Sequence, residues 1–354
     1  MRPVGHSISL VIHSRIYRKV IANHDELEIK ETMLNKLYIS MYHYTRDLRH
    51  SRYPEIKGLD LPLFEQQLQF FKENFNVVTM EDVIMAETTE GRYKLPDRAL
   101  LLTFDDGYID NYTVAYPLLK KYGFQGAFFI PAKTFTENVV LDVNMIHFIL
   151  ASADIDRLVE DVSRLLAENQ NEYGIPSVSE LWQKYAVANR FDNEKVVFCK
   201  RILQTAVPEE LRNRMCDALF EKYVGLPEES FSRELYMNRD QIRIMKEGGM
   251  FFGLHGYDHY WLANLSEEQM HEDISRALEA LEEFIDPDCW VMNYPYGNQN
   301  RYVIDYIRSR GCVLGLTTEV RIADLGKDDR YLLPRLDCND FPPKSENYKN
   351  LYKE

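Results

Sequence analysis

Cysteine is scarce and scattered: five residues, at 199, 216, 289, 312 and 338, with no C-x-x-C pair among them. An odd, unclustered set excludes a disulfide framework and a cysteine-ligated metal site, and implies reducing surroundings. Long apolar runs are also missing. No window approaches about 18 uninterrupted apolar residues, which excludes a membrane-spanning helix. The short apolar patch at 10–12 is flanked by His6, His13 and Arg15 and lacks the core and cleavage pattern of a secretory leader, so a cytoplasmic protein is expected. Basic residues are outnumbered, 42 against 56 acidic ones, for a formal net charge of −14. Such a field repels phosphate backbones and excludes nucleic acid as the main partner unless a local basic patch overrides it. Histidine is rare, nine in 354 residues, and none follows His271.

What is present fits a soluble globule: 45% hydrophobic and 28% charged residues, with 23 Tyr and 18 Phe, enough aromatic side chains for a core or for a sugar-binding cleft. At about 150 residues per domain the length allows a little over two domains. Residues 1–35 show no sustained period and are expected to form a peripheral or poorly ordered lead-in. From 36 to 135 the chain alternates strands and helices: a strand over 37–44, a helix over 62–74, a strand at 77–79, a helix over 80–87, a buried strand over 98–104, a helix over 111–122 and a strand over 126–131. The run ALLLTF suits a central parallel strand, because it has no polar face to present to water. Alternation then stops. The region 136–240 reads as an all-helical insertion, with helices over 145–166, 178–188, 193–205 and 208–223 and a linker over 225–234. It resumes over 241–340, with strands at 250–254, 289–294, 311–316 and 331–335, and a tail over 341–354 is expected to wrap the surface.

Three stretches carry chemistry, each just beyond a predicted strand. Asp105 and Asp106 end the central strand, and Gly107 permits a sharp exit. Successive side chains diverge, so one carboxylate can ligate a metal while its neighbour serves as a general base; a solvated turn or helix cap is the plainer use of an isolated D-D-G. His255 and His259 are four apart, a separation that lets both imidazoles reach one divalent ion, the alternative being two histidines that cap or stack separately. Asp106, His255 and His259 together make a two-His, one-carboxylate set with room for water, as expected of zinc or another first-row ion used hydrolytically. The third stretch is Asn293-Tyr294-Pro295-Tyr296-Gly297. Its proline and glycine can hold the Tyr296 N–H pointing inward to stabilise an oxyanion, although P-Y-G is also an ordinary turn.

These stretches resemble the polysaccharide deacetylase family, carbohydrate esterase family 4 or the NodB homology domain. Thr103-Phe104-Asp105-Asp106-Gly107 reproduces the family's T-F-D-D-G motif, and His255-Gly256-Tyr257-Asp258-His259 matches H-[ST]-x-x-H with Gly256 in place of the hydroxyl residue. Asn293 stands where many members of the family carry an arginine that orients the base. The late leucine-x-histidine motif, whose histidine acts as general acid, has no counterpart in Leu333-Pro334-Arg335-Leu336-Asp337. The resemblance implies a distorted (β/α)7-like barrel with a helical insertion. It implies one divalent metal ion, zinc foremost with cobalt, nickel, manganese or iron also admitted, held by Asp106, His255 and His259. Asp105 would be the base and the Tyr296 N–H the oxyanion donor. His43, in Met41-Tyr42-His43-Tyr44, which resembles the Y-H-x-[VI] opening strand of some family branches, Asp337 or metal-bound water would supply the missing proton. Tyr257, Trp261, Tyr294 and Arg335 would contact substrate, Arg335 having a second possible use in orienting a carboxylate.

The implied reaction is removal of an N-acetyl group from an amino sugar or glycan precursor. A metal-dependent amidohydrolase acting on a non-sugar carbon–nitrogen bond and a noncatalytic carbohydrate-binding relative are the alternatives. Asp106 and His255 lie 149 positions apart, more than one crossover needs, so the insertion must leave and re-enter one domain, where it could act as a lid or a homo-oligomer surface.

Overall fold

The computed structural model describes residues 36–89, 92–189 and 192–351. The expected lead-in over 1–35 lies outside these residues. The first half of the sheet comprises β1 (Lys36–Tyr42), β4 (Asn76–Val77), β5 (Ala99–Asp105) and β6 (Ala127–Ile130), while β2 (Thr45–Arg46) and β3 (Leu59–Asp60) pair with each other in a separate two-stranded sheet. Helices α1 (Leu61–Asn74), α2 (Met80–Thr88) and α3 (Tyr116–Tyr122) run between these strands. Every residue of β5 is buried, and β1 and β6 pair with it in parallel on either side. The helix starts follow from local chemistry. Pro62 sits in the first turn of α1, where no amide donor is needed, and Thr79 and Asp82 form a reciprocal capping box on α2.

Between β6 and β7 (Phe251–Leu254) the chain is helical: α4 (Lys133–Thr136), α5 (Asp142–Ser152), α6 (Ile155–Tyr173), α7 (Val178–Tyr185), α8 (Glu194–Arg201), α9 (Glu209–Tyr223), α10 (Glu228–Leu235) and α11 (Arg239–Glu247). Leu158, Val162, Leu166, Phe198, Leu211, Met215 and Leu219 help to form a separate apolar cluster here, distinct from the one under the sheet. Two expectations need correction. The single helix over 145–166 is two, because Asp154 accepts from the amides of Asp156 and Arg157 and starts α6 afresh. The linker over 225–234 contains α10, which begins after Pro227 with Glu228 and Glu229 in its first turn.

The chain then returns through α12 (Glu267–Ala280), β8 (Trp290–Asn293), α13 (Arg301–Ser309), β9 (Cys312–Leu316), β10 (Ala323–Asp324) and β11 (Leu336–Asp337). The nine-stranded sheet runs β10-β1-β5-β6-β7-β8-β9, with β11 also on β1 and β4 also on β5, and only β10 is antiparallel. It curls into an incompletely closed barrel. No strand spans 331–335. Leu333 makes an isolated bridge to Leu316 of β9, Pro334 has no amide to donate, and pairing resumes where Leu336 lies opposite Ser40 of β1. This segment crosses the gap between the first and last large strands. The tail beyond it is partly core, since Phe341 is fully buried and Tyr348 nearly so.

Candidate metal centre and active site

β5 delivers Asp105 to the C-terminal end of the sheet, where it is 2% exposed. Its carboxylate accepts a two-pronged contact from Arg335, Nη1 to Oδ1 and Nη2 to Oδ2, both 2.8 Å. The remaining Arg335 donors point to Thr103 Oγ1 at 3.2 Å and the Thr317 carbonyl at 2.9 Å. Arg335 is wholly buried, so it faces Asp105 and not the cleft: of the two uses considered for it, contact with substrate gives way to orienting a carboxylate. Burial alone would raise the Asp105 carboxyl, but the Arg335 charge overrides it and holds the group at about 2. The pair's stabilisation is therefore complete above the ordinary carboxylate value and is lost as pH falls through about 2. Arg335→Gln is expected to cost about 3–5 kcal/mol in urea unfolding at pH 7, because it strands a buried carboxylate. A loss below about 1 kcal/mol would show that the pair is not a buried charge contact.

Asp106 turns out of the strand at φ 70, followed by Gly107 at φ 69, where a Cβ would sit 2.7 Å from Ile130 Cγ2. Its Oδ1 is 3.4 Å from His255 Nε2 and 3.5 Å from His259 Nε2, and it receives no hydrogen bond although it is buried. The His255 Nδ1 lies 2.6 Å from the Asn293 carbonyl, which can only accept, so the proton resides there and Nε2 keeps its lone pair. Burial pushes His259 down to about 3, which keeps it neutral. Three donor atoms so spaced fit an ion at roughly 2.0–2.2 Å from each, and the orphaned Asp106 oxygen is the sign that a cation belongs there. Among the described residues, the non-glycine positions with positive φ are Arg98, Asp106, His259 and Tyr296, three of which meet at this centre.

The histidine loop is held from below. Asp273 of α12 accepts from the amides of Tyr257 and Asp258, both at 2.9 Å. A Cβ at Gly256, whose φ is 72, would lie 2.9 Å from Asp273 Oδ2, which explains the absence of the hydroxyl residue at this position. Sequence reasoning missed Asp273 because a carboxylate on an amphipathic helix carries no motif. It also left Tyr108 without a role, although this residue continues the D-D-G motif; its hydroxyl donates to Asp106 Oδ2 at 2.6 Å.

Two of the aromatic assignments are overturned. Tyr294 is fully buried, packed against Gly315, and cannot meet substrate. Tyr257 lies under the Arg276 guanidinium at 3.8 Å, and its hydroxyl donates to Glu137 at 2.7 Å. Trp261 and Tyr296 are placed otherwise: their rings stack at 4.2 Å, and Tyr296 meets the His259 ring edge-on at 4.7 Å. Beside them opens a cavity of about 440 Å³, walled by Lys133 of α4, by Trp261 and by Asp142, Arg212 and Asn213 of the helical insertion. His43, at the end of β1, brings Nε2 to 3.8 Å from Asp105 Oδ2, with its side chain 39% exposed. Asp337, the other proton-donor candidate, caps a turn by accepting from the Asn339 amide at 2.8 Å.

A curled parallel sheet with a carboxylate pair and two histidines at its C-terminal edge defines the class of α/β metal-site folds to which the motifs pointed. The polysaccharide deacetylase family model matches residues 92–179 and 213–314, more than half of the chain, and the chain belongs to that family. YxkH of Bacillus subtilis (strain 168), whose name assigns it to the polysaccharide deacetylases, is 34% identical over 107 residues, 30% of this chain. The match spans 36% of that relative's length. The fold is shared with the Streptococcus pyogenes deacetylase PplD, solved in complex with acetate, at TM-score 0.53 and 20% identity over 90% of this chain and 99% of that one. IcaB from Ammonifex degensii aligns at TM-score 0.52 and 20% identity, over 89% of this chain and 95% of its own. A de-N-acetylase from Aggregatibacter actinomycetemcomitans aligns at 0.53 and 18%, over 88% and 99%. Among the described residues no helix is long and apolar enough to cross a membrane.

Proposed function

We propose that the chain is a metal-dependent hydrolase that removes an N-acetyl group from an amino sugar or a glycan precursor. The observation that carries this reading is the convergence of Asp106, His255 and His259 beside a second buried carboxylate, Asp105, which is paired with Arg335. Asp106, His255 and His259 would hold a divalent ion, zinc by the chemistry of a two-His, one-carboxylate set, which when bound would supply Lewis acidity for the acyl oxygen and the attacking water. Asp105, held in place by Arg335, takes the proton of that water. Oxygen bonds to the acyl carbon, the carbon–nitrogen bond breaks, and the departing nitrogen takes a proton from the His43 imidazolium, which is left as neutral imidazole, giving acetate and a free amine. The Tyr296 N–H stabilises the oxyanion, and Trp261 offers an aromatic face to the sugar ring. Five free thiols support reducing surroundings, and with them a cytoplasmic precursor as substrate.

The test is acetate release by the Zn2+-loaded chain from free N-acetylglucosamine, its nucleotide-linked form and its oligomers. Turnover of at least one is expected, and a loaded chain inert towards all of them sinks the reading. His43→Gln is expected to lower kcat by about 10²-fold or more with metal content unchanged, as loss of a general acid does; an unchanged kcat would remove His43 from the mechanism.

A further inference from the structure

The metal-binding carboxylate is tied to the helical insertion by a directed chain of buried hydrogen bonds. The Leu141 amide donates to Tyr236 Oη at 3.1 Å, and the Tyr236 hydroxyl donates to Asn144 Oδ1. The Asn144 Nδ2 donates to Tyr108 Oη at 2.7 Å, and the Tyr108 hydroxyl donates to Asp106 Oδ2 at 2.6 Å. A backbone amide can only donate and an ionised carboxylate can only accept, so both ends fix the direction of every link and the orientation of the Asn144 amide. Tyr108 and Asn144 are wholly buried and Tyr236 is 3% exposed, so water does not compete.

The backbone follows the same route. Tyr108 and Tyr236 form an antiparallel bridge, and the Met237 amide donates to the Gly107 carbonyl at 3.0 Å. The start of the helical insertion, at Leu141 and Asn144, and its end, at Tyr236 and Met237, therefore both dock on the loop that carries Asp106. With the phenol engaging Oδ2, only Oδ1 faces the histidines, and the carboxylate is restrained to single-oxygen ligation in a backbone turn that left to itself is unfavourable.

We propose that Asn144 and Tyr236 are positioning residues that set metal affinity through Tyr108, so that the helical insertion is a working part of the metal centre. This rests on the metal-site reading above, and its test reads metal binding, not turnover. Zn2+ affinity of the full chain is measured by competition with a chromophoric chelator, alongside the melting temperature of the metal-free chain. Tyr236→Phe and Tyr108→Phe are each expected to weaken Zn2+ binding about 10–100-fold, the usual effect of losing a partner behind a ligand. The double variant is expected to be no weaker than Tyr108→Phe, since the two act in series. Asn144→Asp, whose carboxylate would draw the Tyr108 hydroxyl away from Asp106, is expected to weaken binding similarly. Tyr223→Phe, which removes a hydroxyl bonded to Asp161 elsewhere in the helical insertion, is expected to leave the affinity unchanged. Wild-type affinity in Tyr236→Phe or Asn144→Asp, whatever their melting temperatures, overturns the proposal, as do fully additive losses in the double variant. A wild-type chain that binds no Zn2+ overturns the metal-site reading as well, so the two failures are told apart.

Discussion

Asp105→Asn is expected to reduce acetate release about 10²–10⁴-fold while the protein keeps its metal. The substitution preserves shape and removes only the proton-accepting charge. Asp105 is not among the three converging donors, so the content of bound ion should not change. Its loss also leaves the Arg335 guanidinium buried without a counter-charge, which lowers stability and could imitate a catalytic defect. Asp105→Asn with Arg335→Gln removes both charges and separates the two effects: stability should recover in part and turnover should not. Turnover that returns with stability would show that Asp105 is structural. The Arg335 charge holds the Asp105 carboxyl at about 2, so an acid limb of kcat/KM above pH 4 is expected to belong to another group.

Loss of a ligand should have the larger effect on metal content. Asp106→Asn and His255→Ala are each expected to abolish stoichiometric Zn2+ and to bring acetate release to background, measured as metal per chain after dialysis and as turnover with metal restored. Asparagine is the better choice at 106 because the position has φ 70, a region that Asn tolerates and Ala does not. With the two imidazoles left facing a neutral amide, the cation loses the one negative charge in its set. Undiminished metal in both variants would mean that the ion sits elsewhere.

Much of this centre was legible before any coordinates. T-F-D-D-G runs off the end of β5 and the two histidines follow β7 directly, so local sequence names both the residue and its place. The strands themselves were read from apolar runs, and the all-buried β5 was the plainest of them. What local pattern could not carry was contact across long separation. Arg335 was read as a substrate contact or as the partner of some carboxylate, and the choice stayed open because nothing near it in sequence shows that Asp105, 230 residues earlier, lies against it. Tyr294 and Tyr257 failed for a related reason: an aromatic residue in a site loop has two sides to face, and sequence does not say which. The start of α6 was hidden because apolar spacing continues through Asp154, whose capping role depends on its side chain turning back on the backbone. The strand expected over 331–335 failed at Pro334, which interrupts the ladder while the chain still crosses the gap.

That crossing has a consequence for the order in which the molecule can be completed. The segment 333–337 joins β9 to β1 and is also the sole carrier of the charge beneath Asp105. During synthesis Asp105, Asp106 and the two histidines emerge first, so until this span arrives Asp105 lacks its guanidinium partner and the C-terminal ends of β1 and β9 lack a neighbour. A chain interrupted before Leu333 would thus retain all three metal ligands and yet present open edges of the kind that recruit other chains. The same few residues that pair with Asp105 also cover open strand edges, so one short span serves both the carboxylate and the sheet.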